Sequence, residues 1–162
     1  MQRTEQDTVF VGFLGGLIGG LAKLAADVAF FILGIAKTTE AHLAAQAFLP
    51  TGTAITLSAL ALGVAVDLGI AVALGIVAAY IIAFTGRDFL LLKGLIFGAL
   101  LYVFGYGLVA QAFLPTVVLR PDLATSAVFL LTHLVLGAVT FLVIGQFQTE
   151  VCDAQRRLNP SN

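Results

Sequence analysis

The chain has 162 residues, of which 60% are hydrophobic and only 10% charged. A soluble domain carries about 25% charged residues, so this composition excludes a water-facing globule and leaves lipid as the solvent. The net charge of −1 comes without a basic block, which excludes an electrostatic footing for nucleic acid, and a single cysteine, Cys152, excludes an internal disulfide framework and reads as an ordinary free thiol.

Residues 1–8 are polar, and the apolar run that follows could pass for a signal-peptide core. Glu5 and Asp7 beside the single Arg3 argue against cleavage, and the run resumes after Lys23 and Asp27. Residues 9–35 are therefore expected as a retained helix, long enough to cross a hydrocarbon core that needs about 20 apolar residues. Gly12, Gly16 and Gly20 recur every fourth position on it, a spacing that lets helix backbones approach closely in lipid. Lys23 and Asp27 continue that face and are expected to pair within the helix. The run Gly15-Gly-Leu-Ile-Gly-Gly20 follows no strand and lies inside a span, so it does not cradle phosphate.

Lys37-Thr-Thr-Glu40 and His42 open a loop that Pro50-Thr-Gly-Thr53 closes. A second apolar segment, 54–84, carries Gly63, Ala71 and Gly75 on one face, with Asp67 midway between Gly63 and Ala71. Thr85-Gly-Arg-Asp88 is expected as a tight turn. The third segment, 89–114, has Gly94, Gly98 and Gly105 as its small face, and a polar streak of Tyr102 and Tyr106 with Gln111 at its end. Pro115 and Arg120-Pro-Asp122 bound the next loop. The fourth segment, 123–147, carries His133 four residues before Gly137, and residues 148–162 form a polar tail. No ten-residue alternation of the kind a membrane barrel requires is present, and backbone satisfaction in lipid then leaves helices. The expected fold is all-α, an integral membrane four-helix transmembrane bundle in one domain.

Arg3, Arg87, Lys93, Arg156 and Arg157 would share one side of the membrane, and Lys37 and Arg120 the other. The positive-inside rule then places both termini in the cytoplasm. Residues 45–51, Ala-Gln-Ala-Phe-Leu-Pro-Thr, recur identically at 110–116. The repeat reads either as a duplicated helical hairpin or as convergence on a good interfacial stop.

Lys23, Asp27, Asp67 and His133 are the ionisable groups inside the spans. At 1.5 Å per residue they lie about 18, 12, 20 and 15 Å from the outer ends of their segments, so they can form one cluster. An unpaired charge in hydrocarbon costs at least about 2.5–3.5 kcal/mol, which demands partners. In a structural reading, Lys23 pairs with Asp27, Asp67 pairs with His133 or stays protonated, and the cluster fixes helix register. In a functional reading, the cluster binds an ion or relays protons. His133 could also ligate a haem or pigment, but the only other histidine, His42, sits in a loop. No tetrahedral metal set, Ser/His/Asp arrangement or Walker motif is present, so no metal, cofactor or enzymatic activity is expected.

Phe13-Leu-Gly-Gly-Leu-Ile-Gly-Gly20, Gly94-Leu-Ile-Phe-Gly-Ala-Leu-Leu-Tyr102 and His133 together give a layout that resembles small bacterial four-helix inner-membrane proteins of the YqhR and YagU kind. Those families often place Gly before the fourth-helix histidine, where this chain has Thr132. The resemblance implies a bacterial plasma membrane. With no helix broken by proline at mid-membrane, the leading expectation is a structural or accessory membrane protein packing against itself or a larger complex. The alternatives are an ion, proton or solute transporter built on the Lys/Asp/His cluster, where a cavity touching Asp67 would be the distinguishing feature, and a haem or pigment carrier.

Overall fold

Long runs of Leu, Ile, Val and Ala without proline favour uninterrupted helix, and the breaks fall where capping residues stand. The computed structural model describes residues 2–50, 56–110 and 122–158. All regular structure in them is helical: α1 (Gln2–Ile32), α2 (Glu40–Phe48), α3 (Leu57–Thr85), α4 (Leu90–Tyr102), a π-helical continuation of α4 (Val103–Ala110), and α5 (Leu123–Leu158). Three stretches are long and apolar enough to cross a membrane, namely Thr8–Ile32, Leu57–Thr85 and Leu123–Phe147, and Leu90–Tyr106 is a shorter apolar rod.

Local chemistry sets the ends. The Thr39 and Thr56 hydroxyls accept from the backbone N–H of His42 and Ala59, capping α2 and α3, and the Asp122 carboxylate accepts from Thr125 N at 3.1 Å to cap α5. Each takes one of the unpaired donors that open a helix. Gly86, at φ +77°, turns the chain out of α3 while its N–H still reaches Ile82 O at 2.9 Å. The Lys93 ammonium then donates to the Thr85 and Gly86 carbonyls at 3.0 and 2.9 Å.

α1 packs between α3 and α5, α4 packs on α5, and α2 folds back onto α3. Glycine makes these approaches close. A Cβ on Gly12 would stand 2.6 Å from Ile76 Cα, and one on Gly16 2.8 Å from Val72 Cα, so α1 and α3 meet backbone to backbone. Gly20 faces the Ala71 methyl, and Gly63 faces the α2 backbone at Ala41 and Ala45. Gly94 and Gly98 of α4 meet Gly137 and the His133 carbonyl of α5 in the same way. In lipid such close packing replaces the hydrophobic effect as the force between helices. Gly105 departs from the expected stripe, because nothing lies within 4 Å of where its Cβ would be. The change to i→i+5 hydrogen bonding at Val103–Ala110 rotates the following side chains off the line that Gly94 and Gly98 follow. Gly105 and Gly107, weak helix formers, stand in that stretch.

Two apolar clusters lie along the bundle. One, toward the Arg87 turn, holds Val11, Ala78, Ala79, Ile82, Phe141 and Ile144, and the other, toward Lys37, holds Ala36, Val128 and Phe129. The outside is equally apolar. The most hydrophobic window of α3 is only 17% buried, and Phe10, Ile70, Val77, Ile96, Leu100 and Leu131 all face outward.

Three expectations about the elements change. The segment after Lys37 contains α2, because Thr39 caps an alanine-rich run of strong helix formers. The third segment is α-helical only to Tyr102. Helix α5 continues through the polar tail to Leu158. The second copy of the seven-residue repeat lies, beyond Ala110, outside the described residues.

Candidate functional site

Four elements converge on Lys23. This α1 side chain is only 2% exposed, and its ammonium lies 2.6 Å from Glu40 Oε2 and 2.8 Å from both Asp67 oxygens. Glu40 opens α2 and is 6% exposed, while the Asp67 side chain, from α3, is 16% exposed. The other Glu40 oxygen, Oε1, accepts from the Thr132 hydroxyl at 3.1 Å and stands 3.3 Å from His133 Nδ1, both on α5. A lysine stem is long enough to carry its charge sideways to two other elements, which is how one α1 residue joins α2 and α3.

Asp27 has a different role from the one its spacing suggests. Its Oδ2 accepts from the Glu40 backbone N–H at 2.8 Å, so a side chain of α1 caps the start of α2. Its Oδ1 is buried with no hydrogen-bond partner among the described residues. The expected Lys23–Asp27 pair is therefore replaced by Lys23–Glu40 and Lys23–Asp67. Open N–H groups at a helix start compete well for a carboxylate, and two carboxylates on other elements satisfy the ammonium more fully than one neighbour on the same helix. The expected Asp67–His133 pair is likewise replaced, with Asp67 on Lys23 and His133 on Glu40.

The sequence reading missed Glu40. It stands in a polar stretch that hydropathy assigns to the water interface, and only the Thr39 cap and the alanine run hint that the chain turns back into the bundle.

His133, 9% exposed, is held from two sides. Its Nδ1 lies 2.8 Å from Phe129 O. A carbonyl only accepts, so Nδ1 carries the hydrogen and Nε2 of the neutral ring is a bare acceptor. No hydrogen bond reaches Nε2 among the described residues. The ring meets Tyr102 and Tyr106 edge-on at 5.9 Å each, and Tyr106 stacks on Phe129 at 5.4 Å. Tyr106, in the π-helical stretch, stands 5.5 Å from Tyr102 ring to ring.

A cleft of about 460 Å³ opens between α2, α3, the α4–π rod and α5. Leu43, Phe48, Ile70, Leu74, Leu101 and Phe104 line its walls, and Glu40, Asp67, Tyr106 and His133 also line it. Apolar walls with a few convergent polar groups are the usual form of a small-molecule site. Gly105 lines it too.

Lys23 fills the space between the Glu40 and Asp67 carboxylates. Among the described residues no three of His, Cys, Asp and Glu are arranged to hold one. His42 is turned to Thr39, with Nδ1 2.6 Å from the hydroxyl.

Outside the network, charges gather at the two ends of the bundle. Lys37 bridges Asp122 at 2.7 Å, tying the end of α1 to the start of α5. The hydrogen bond from Lys37, with those from the Thr125 hydroxyl and backbone, pulls the Asp122 carboxyl down to about 2. Arg87 donates to Gly145 O at 2.6 Å, tying the α3–α4 turn to the far part of α5. Side-chain positions of Arg3, Arg156 and Arg157 lie outside the described residues.

No family model matches the chain, and no curated protein or solved structure matches it either.

Proposed function

We propose that the chain is a multi-pass membrane protein, a four-helix bundle of α1, α3, the α4–π rod and α5, that moves a proton or small cation through the Lys23–Glu40–Asp67–His133 network. The carrying observation is the cleft that reaches Glu40, Asp67 and His133. A network that only fixed helix register would be better sealed.

Charge balance supports the reading. Glu40 and Asp67 face one ammonium, and Asp27 stands alongside. A desolvated excess of negative charge is expensive, so the site holds an additional proton or cation that can come and go through the cleft. Helix α2 is too short to span, and on this reading it is a re-entrant piece, tolerated at depth because it is buried in protein. The basic residues at the Arg87 turn support an orientation with that end, and with it both termini, on the cytoplasmic side of a bacterial inner membrane.

A structural or accessory role is the second reading. It is favoured by the way Lys23 and Glu40 join α1, α2, α3 and α5 in one set of bonds. Proton flux into vesicles reconstituted with the protein separates the two. On the transport reading the parent shows a flux that Asp67→Asn abolishes, and on the structural reading both stay at background.

A further inference from the structure

The walls and floor of the cleft differ in chemistry, and that difference specifies a ligand. The floor is rich in acceptors. When ionised, Asp67 and Glu40 only accept, and His133 directs its Nδ1 hydrogen to Phe129 O, so that in the neutral ring Nε2 is a lone pair. Lys23, the cation of the network, is held between Glu40 and Asp67 and does not line the cleft. The His133 side chain is also largely buried, and no hydrogen bond reaches its Nε2 among the described residues. A head group that fits must donate hydrogen bonds and carry positive charge. Tyr106 and Phe104 also line the cleft, and aromatic rings attract a cation placed over their faces. The walls take an apolar body, and about 460 Å³ is the size of a small-molecule pocket.

We propose that the α2–α3–α4–α5 cleft binds a free lipophilic ammonium ion, with its apolar body against Ile70, Leu74, Leu101 and Phe104 and its N–H groups toward Asp67 and His133. This assigns a substrate class to the transport reading above and rests on it. Binding, however, is measured without any gradient. Binding without flux removes the transport reading and keeps the site, and flux without binding does the reverse.

The test uses the full chain in detergent, titrated calorimetrically with hexylammonium, hexanol and hexanoate. Hexylammonium is expected to bind saturably, at least ten-fold more tightly than either of the others. Asp67→Asn is expected to weaken it at least ten-fold. Gly105→Leu fills space beside the cleft, where nothing lies within 4 Å, and is expected to abolish binding without unfolding the bundle. Equal affinity for hexanol would make the cleft a groove for apolar chains only, and tighter hexanoate would make it an anion site. Binding that survives Gly105→Leu would place the ligand elsewhere. Repeating the titration in nanodiscs of ethanolamine phospholipid and of choline phospholipid separates a free amine from a lipid head group, and loss of binding confined to the ethanolamine discs would overturn the free-amine assignment.

Discussion

Glu40 Oε2 lies 2.6 Å from Lys23 Nζ, so the first residue of a nine-residue helix meets a charge placed well inside the long first helix. The contact depends on Asp27, which caps the same residue's N–H at 2.8 Å. Helix α2 is thus held by its end, through one carboxylate that receives it and one that it supplies.

Lys23→Met leaves Glu40 and Asp67 facing each other without a counter-charge. Breaking a buried ion pair from one side costs about 3–5 kcal/mol, and denaturant titration in detergent should show a loss of that order. Glu40→Gln should cost less, about 1–3 kcal/mol, because Asp67 still holds the ammonium. Equal stability of parent and Lys23→Met would remove the network from the account of the fold.

Gly16→Leu and Gly98→Leu each place a side chain against the backbone of another helix, at Ala71 and Val72 in the first case and at His133 and Leu134 in the second. Overpacking of this kind costs about 1–3 kcal/mol, so thermal unfolding in detergent should move down for both. Gly105→Ala, with open space beside it, should leave it unmoved. The reverse ranking would mean that the helices meet on other faces.

The Lys37–Asp122 bridge is exposed, so its contribution is small and screened by salt. Its sign is set by the depressed Asp122 carboxyl, which lies below its ordinary 3.8 at about 2. Such a group stabilises the fold above its ordinary value and loses that effect as pH falls through about 2. Lys37→Gln should therefore melt slightly below the parent at pH 6 in low salt. The gap should narrow below pH 3.8 and vanish below about 2, and a gap that widened on acidification would reverse the assignment.

Lys37 and Asp88 lie at opposite ends of the bundle and are exposed. With Cys152 replaced by Ser, single cysteines at these two positions should react with an impermeant thiol reagent from opposite faces of the membrane, Lys37→Cys from outside. Labelling of both from one face would contradict the topology.

Much of this was legible in the sequence for simple physical reasons. Long apolar runs leave helix as the only choice, and small residues at every fourth position mark where backbones touch, as Gly16 and Gly98 do. Lys23, Asp67 and His133 lie at similar depth because rise per residue is fixed. The partners were not legible. Spacing made Asp27 the obvious neighbour of Lys23, but spacing knows nothing of the open N–H at Glu40. Hydropathy read Glu40 as a loop residue because a buried charge and a solvated one have the same letter. The π-helical turn at Val103–Ala110, which removes Gly105 from the packing line, carries no pattern beyond two glycines.

If a proton or cation reaches the network through the cleft, plugging the cleft stops its transport. Proton flux should be measured in vesicles under an imposed pH gradient, for the parent and for Gly105→Leu, each scaled to the amount of folded protein. Nothing lies within 4 Å of where a Gly105 Cβ would stand, so the variant should melt with the parent. The parent flux should stand well above empty vesicles and the Gly105→Leu flux at their level. Parent flux at the level of empty vesicles, or undiminished flux with the cleft filled, would contradict transport through the cleft.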